Sequence, residues 1–205
     1  MKRFSAISAT AVAAALFLAG CGSDTGSDTA EGTMPGMDHG SMSASPSAAS
    51  SGVAADNNSA DAMFAQMMLP HHEQAVEMSD IMLAKDNLDP QIMQLAEDIK
   101  AAQGPEIEKM TGWLQAWGEP MEMSGDHAME GMMSPDDLAQ LEAAQGDEAA
   151  RMFLTQMIAH HEGAVAMAEE EIANGQDPDA VALAEAVVAD QSAEIEKMKE
   201  LLAGL

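Results

Sequence analysis

The chain has 205 residues, of which 21% are charged and only 3% aromatic, with 20 methionines, no tyrosine and one cysteine. A formal charge of −27 at pH 7 excludes nucleic acid and anionic lipid headgroups as partners, because such a surface repels them, and favours cations. The lone cysteine excludes an intrachain disulfide. No phosphate-binding glycine loop, Cys-x-x-Cys-His run or activated nucleophile is apparent, so the chain reads as a binder and not an enzyme.

Residues 1–20 carry a basic start (Lys2, Arg3), then an apolar run of small residues ending in Leu18-Ala19-Gly20 before Cys21. That is an export signal, too short and wrongly flanked to be a spanning helix of the mature protein. Its loss takes the charge from −27 to −29, since Lys2 and Arg3 leave with it. The ending resembles the lipobox of bacterial lipoproteins. This implies that Cys21 becomes the lipidated first residue, tethering the exported chain to the outer face of the cell membrane or facing the periplasm. Ordinary secretion is the alternative. Attachment would run through the lipid anchor only, without a basic patch.

Residues 21–60 are rich in Ser, Gly, Ala, Thr and Asp without an apolar period, the composition of a disordered tether. The tether contains Met34, Met37, His39 and Met42. From residue 61 the composition turns helical, with almost no β-branched runs. A first helical hairpin occupies residues 61–118, with one helix over about 61–86. The next helix opens at Asp89-Pro90, as N-cap and N1, and ends near Gly118. Residues 119–134 form a loop bearing Met121, Met123, His127, Met129, Met132 and Met133. Its glycines and turn formers, like those of the tether cluster, predict mobility. A second hairpin fills residues 135–205. Ser134-Pro135 opens a short helix, Gly146 interrupts it, a long helix continues to Asn174, and Asp177-Pro178 opens the last.

The hairpins repeat one another. Phe64 aligns with Phe153, His71-His72-Glu73 with His160-His161-Glu162, Ala75-Val76 with Ala164-Val165 and Met78 with Met167, all 89 residues apart. After a one-residue change in the turn, Gln103 aligns with Gln191, and Glu106 to Met110 (EIEKM) recurs as Glu194 to Met198. Two hairpins, each apolar on one side, bury those sides best against each other. The expected fold is all-α: a four-helix bundle from two repeated antiparallel hairpins, preceded by the tether.

At about 100° per residue, Phe64, Met67, His71, Ala75, Met78 and Met82 share one line of the first helix. Met68, His72 and Val76 share the next, whereas Glu73 and Glu162 fall on the outer face. On the second and fourth helices the apolar line contains Glu106 and Glu194. A carboxylate centred in a packed stripe costs several kcal/mol unless paired. The complementary groups within each hairpin are its histidines. Each hairpin therefore offers a candidate metal site: His71, His72, Met68, Met78, Glu106 and Met110 in the first, and His160, His161, Met157, Met167, Glu194 and Met198 in the second. Thioethers favour Cu(I), and imidazole suits copper in either oxidation state. Cu(I) is thus the favoured ligand, with Cu(II) the second choice. The Met/His clusters of tether and loop would be auxiliary capture arms. The competing reading is metal-free: buried His–Glu hydrogen-bonded pairs, with methionine as adaptable core filler. Pro70 and Gly104-Pro105 interrupt the first copy where the second has Ala159 and Ser192-Ala193, so the copies need not bind equally.

The duplicated Met-x-x-His-His, followed by Gln-x-x-Glu-x-x-x-Met, resembles the bacterial family called domain of unknown function 305 (DUF305) over residues 60–203. That resemblance implies a ferritin-like helical bundle, export and periplasmic copper binding or resistance, with a copper-donating or copper-accepting protein as partner. It also raises a ferritin-like metal-dependent oxidase. Di-iron sites use Glu-x-x-His, however, and here Lys109 and Lys197 follow Glu106 and Glu194 at that spacing. An envelope interaction protein with metal-free His–Glu pairs is the remaining alternative.

Overall fold

The computed structural model describes residues 57–123 and 129–205. The signal segment, most of the tether with Cys21, Met34, Met37, His39 and Met42, and His127 of the central loop lie outside the described residues. Five helices follow in order: α1 Ser59–Leu83, α2 Pro90–Trp117, α3 Pro135–Ala143, α4 Gly146–Asn174 and α5 Pro178–Gly204. No helix among the described residues is long and apolar enough to cross a membrane.

Local chemistry sets the ends. Asp89 and Asp177 cap helices that begin with proline, as expected. Ser134 and Asp137 close a reciprocal capping box on α3. The start of α1 differs from the reading that placed it at Asp61. Asn58 is the N-cap and Asp61 the third residue of the helix, completing a capping box. Asp61 also does more: its Oδ1 accepts the backbone N–H groups of Gln176 and Asp177, each at 2.9 Å, in the α4–α5 turn. Helix α1 stops at Leu83, three residues short of Asp86, and Asn87 takes a positive φ of 59° in the turn that follows. Both α1 and α2 continue through their internal prolines, Pro70 and Pro105.

Helix α1 packs on α2, α4 packs on α5, and the hairpins meet chiefly along α1 and α4. The short α3 lies against α1 and α4, where Leu141 is fully buried. Lys85, just past α1, donates to the Glu142 and Ala144 carbonyls at 2.8 and 2.9 Å, satisfying acceptors at the end of α3. The apolar interior is in two parts. One joins Met78, Met82, Leu95 and Ile99 to Phe153, Leu154, Met157 and Met198. The other joins Phe64, Met68, Met110 and Leu114 to Ala164, Ala168, Leu183 and Val187. Because the late half of α1 shares a cluster with the early half of α4, the two copies run antiparallel. Midway along every long helix, between the clusters, stand polar side chains: His71-His72, Gln103 with Glu106, His160-His161, and Gln191 with Glu194. The bundle has a polar waist.

Candidate metal centre

The waist forms because each hairpin folds its second helix back at the same register. His72 Nε2 lies 2.8 Å from Glu106 Oε2, and His161 Nε2 lies 2.7 Å from Glu194 Oε2. The repeat therefore pairs histidine with glutamate within each hairpin. The glutamates were expected at the centre of the packed stripe, and they sit at its edge. Both imidazoles are fully buried, but the two carboxyl side chains are 20% and 22% exposed. Their stems span the boundary, so one side keeps contact with water and the desolvation cost falls accordingly. Glu73 and Glu162 face solvent.

A carboxylate only accepts hydrogen bonds, so the His72 and His161 ring protons sit on Nε2. The opposite nitrogens, Nδ1 of each, are buried without a partner. His71 directs Nε2 at the Glu130 carbonyl oxygen, 3.4 Å away, which again leaves a buried, unpartnered Nδ1. His160 Nε2 is unpartnered too. The waist thus holds four imidazole nitrogens that no protein group claims. Three are bare lone pairs, the form in which imidazole binds metals. The amide oxygens of Gln103 and Gln191 are likewise buried and unpartnered.

Adjacent histidines were expected to serve one site per hairpin, and they diverge. A helix turns by about 100° per residue, so when His72 faces α2, His71 faces α4. His71 and His160 meet across the hairpin interface with ring centroids 3.7 Å apart and planes inclined by 41°. Burial depresses the His71 pKa to about 3, helped by the neighbouring His72 and His161. Burial, then His71, His161 and His72, depress that of His160 to about 2. Both rings are neutral at pH 7.

The central loop departs from its expected mobility over residues 129–133. Gln74 grips Met133 through two hydrogen bonds, Nε2 to the carbonyl at 2.9 Å and Oε1 from the amide at 2.7 Å. Gly163 makes room for the loop: a Cβ there would stand 2.1 Å from the Glu130 carbonyl oxygen. Gly131, with φ of 84°, approaches the Ala159 carbonyl from the other side. The sequence reading passed over this seat, although a signal existed. Gln74 and Gly163 occupy equivalent places in the repeat (His-His-Glu-Gln against His-His-Glu-Gly), and both hold the same loop. Met129, Met132 and Met133 are consequently part-buried beside the waist, whereas Met121 is exposed and Met123 part-buried.

The methionines also regroup. Met68 is one turn before His72 on α1, and Met110 one turn after Glu106 on the antiparallel α2. Both therefore fall to the same side of the waist, in one cluster. Met157 and Met198 do so on the other side. Met78 was assigned to the first hairpin's site, but it lies in the cluster with Met157 and Met198. Met167, assigned to the second, packs on the cluster of Met68 and Met110. The reason is the antiparallel meeting of α1 and α4, which carries each late methionine past its own histidines to the other copy's end. Among the described residues, no three His, Cys, Asp or Glu side chains converge to chelate an ion unaided. Donors beyond an imidazole and a carboxylate must be sulfur or a second imidazole.

Fold and waist define a duplicated helical bundle with an imidazole layer between sulfur-rich clusters. The chain belongs to the family described as Domain of unknown function (DUF305), whose profile matches residues 61–202. Solved structures agree. A DUF305 protein from Streptomyces coelicolor shares 34% identity over 71% of this chain and 93% of its own, with a TM-score of 0.68. A DUF305 fragment from Deinococcus radiodurans shares 32% over 72% of this chain and 98% of its own, with a TM-score of 0.65. CopM in its Cu(I)-bound form shares 34% over 70% of this chain and 96% of its own, with a TM-score of 0.60. CopM has also been solved in Cu(II)-bound, Ag-bound and apo forms. Comparison with curated proteins finds no match.

Proposed function

We propose that the chain is an exported, lipid-anchored copper-binding protein that takes Cu(I) in preference to Cu(II), for sequestration or for delivery to a copper-accepting partner, and that it is not an enzyme. The observation that carries this reading is the set of four buried, unclaimed imidazole nitrogens on His71, His72, His160 and His161. Leaving a buried polar atom unpaired costs about 1–3 kcal/mol, and a bound cation removes that cost for several at once. The surrounding donors, Met68 and Met110 on one side and Met78, Met157 and Met198 on the other, are thioethers suited to a soft ion. The likeness to CopM with bound copper supports the same ion. Glu106 and Glu194 act here as orienting groups. Each holds a ring proton on Nε2 and so presents the other nitrogen, the usual carboxylate–histidine–metal arrangement. Met129, Met132 and Met133, with Met121, Met123, His127 and the tether cluster, act as capture arms. Export and anchoring rest on the signal segment and Cys21.

The metal-free reading has one observation in its favour: the two His–Glu pairs close directly, at 2.7 and 2.8 Å. It leaves the four remaining nitrogens unexplained. Titration of the mature protein with Cu(I) against a chromogenic chelator decides between them. His71→Ala with His160→Ala should weaken binding at least tenfold, and His72→Gln with His161→Gln likewise. Glu73→Ala with Glu162→Ala, both exposed, should leave it unchanged. Equal affinity in all the variants rejects the histidine assignment.

A further inference from the structure

The two copies differ most at one place outside the waist. Shifted by 89 residues, Met63 corresponds to Met152, Met67 to Gln156, Met167 to Met78 and Glu171 to Met82. In the second copy, α3 lies over this region. Met152 packs on the cluster that holds Leu141, and Gln156 donates to the Asp137 carbonyl at 3.5 Å. Among the described residues, nothing corresponding to α3 covers the first copy. There the early half of α1 and the late half of α4 leave a cavity of about 400 Å³, lined by Met63, Phe64, Met67, Met167, Glu170 and Glu171 among others.

One feature of that cavity is costly unless a ligand uses it. Met63 is 47% exposed, the most exposed of the large apolar side chains among the described residues. Glu171 at its wall is only 1% exposed, where the repeat has a fully buried Met82, and its carboxyl lies against that of Asp61. Three thioethers along a single opening are the donor set of a soft monovalent cation. The opening also leads inward. Met67 is one helical turn from His71 on α1, and Met167 is two turns from His160 on α4, on the same faces.

We propose that Met63, Met67 and Met167 form a separate Cu(I) site that loads the waist from solvent. This deepens the copper reading above and rests on it for the identity of the ion.

The test uses Ag(I), a diamagnetic soft monovalent ion, added to the mature protein carrying 13C-methyl methionine. The methyl signals of Met63, Met67 and Met167 should shift together. Bound silver, counted by elemental analysis after dialysis, should fall by one per chain in M63L/M67L/M167L. Methionine to leucine conserves volume, and M63L alone, at an exposed position, should already weaken the site. If all three signals stay still and the triple variant binds as much silver as wild type, the pocket is overturned. That result with a loss in His72→Gln/His161→Gln removes the pocket and keeps the waist. The converse removes the waist and keeps the pocket.

Discussion

At the scale of single residues, protons are distributed unusually. His71 and His160 are held neutral down to about pH 3 and about pH 2, whereas in the unfolded chain they protonate near the ordinary value of 6.5. Their folded pKa values are depressed, so below pH 6.5 the unfolded chain takes up protons that the folded chain refuses. Stability is therefore lost as pH falls from 6.5. Glu171 works in the other direction. Burial, then the neighbouring Asp61 and Asp177, raise its pKa to about 8 from 4.5, so between those values the folded chain keeps a proton that the unfolded chain releases. Stability from this group is lost as pH rises from 4.5 to 8. Between 4.5 and 6.5 two histidines outweigh one carboxyl, and above 6.5 the carboxyl acts alone. Metal-free protein should be most stable near pH 6.5, with slopes on the order of 1 kcal/mol per pH unit for each proton. Urea midpoints from pH 4 to 9 check this. In Glu171→Gln the decline above 6.5 should vanish while the acid side remains. A decline of the same size in that variant would refute the assignment.

At the scale of elements, the seat of residues 129–133 against α4 is the least ordinary packing in the molecule. Gly163→Ala would press a methyl group to 2.1 Å from the Glu130 carbonyl, and the helix cannot yield without disturbing His160 and His161. A loss of about 1–3 kcal/mol is expected, as for other overpacked sites, with the loop displaced. Gly112→Ala, on α2 with nothing within 4 Å, should instead stabilise by about 0.5–1 kcal/mol through helix propensity. Denaturation of the two variants side by side is the measurement, and the same sign in both would be inconsistent with the packing described. These elements also mark how far sequence reasoning reaches. Asp-Pro and Ser-Pro starts, Gly118 and the repeat itself located the helices to within about three residues, because capping and periodicity are local. The loop seat was not legible, since it depends on which helices become neighbours. Gln74 and Gly163 look interchangeable with any surface and core residue until both are seen under one loop.

At the scale of the whole molecule, the internal symmetry decides what the site contains. Pairing of His72 with Glu106 and of His161 with Glu194 was readable, because a tight hairpin fixes that register. The meeting of His71 with His160, and the exchange of Met78 and Met167 between ends, followed only from the antiparallel docking of the copies, which neither hairpin encodes alone. The edge position of Glu106 and Glu194 escaped the helical wheel for the same reason, since a wheel gives direction and not the depth at which a neighbour ends. Docking is secured far from the waist as well. One carboxylate, Asp61, belongs to the first turn of α1 and yet holds two amides 115 and 116 residues further along, while Asn58 Nδ2 donates to the Asn174 carbonyl at 2.9 Å. Opening of that first turn must therefore release the α4–α5 turn with it. In hydrogen–deuterium exchange the amides of Gln176 and Asp177 should be slow, and Asp61→Ala should speed both. Gly175, whose amide bonds to Glu171 within its own helix, should change far less. The first turn of α1 and the α4–α5 turn are thus expected to breathe as one unit.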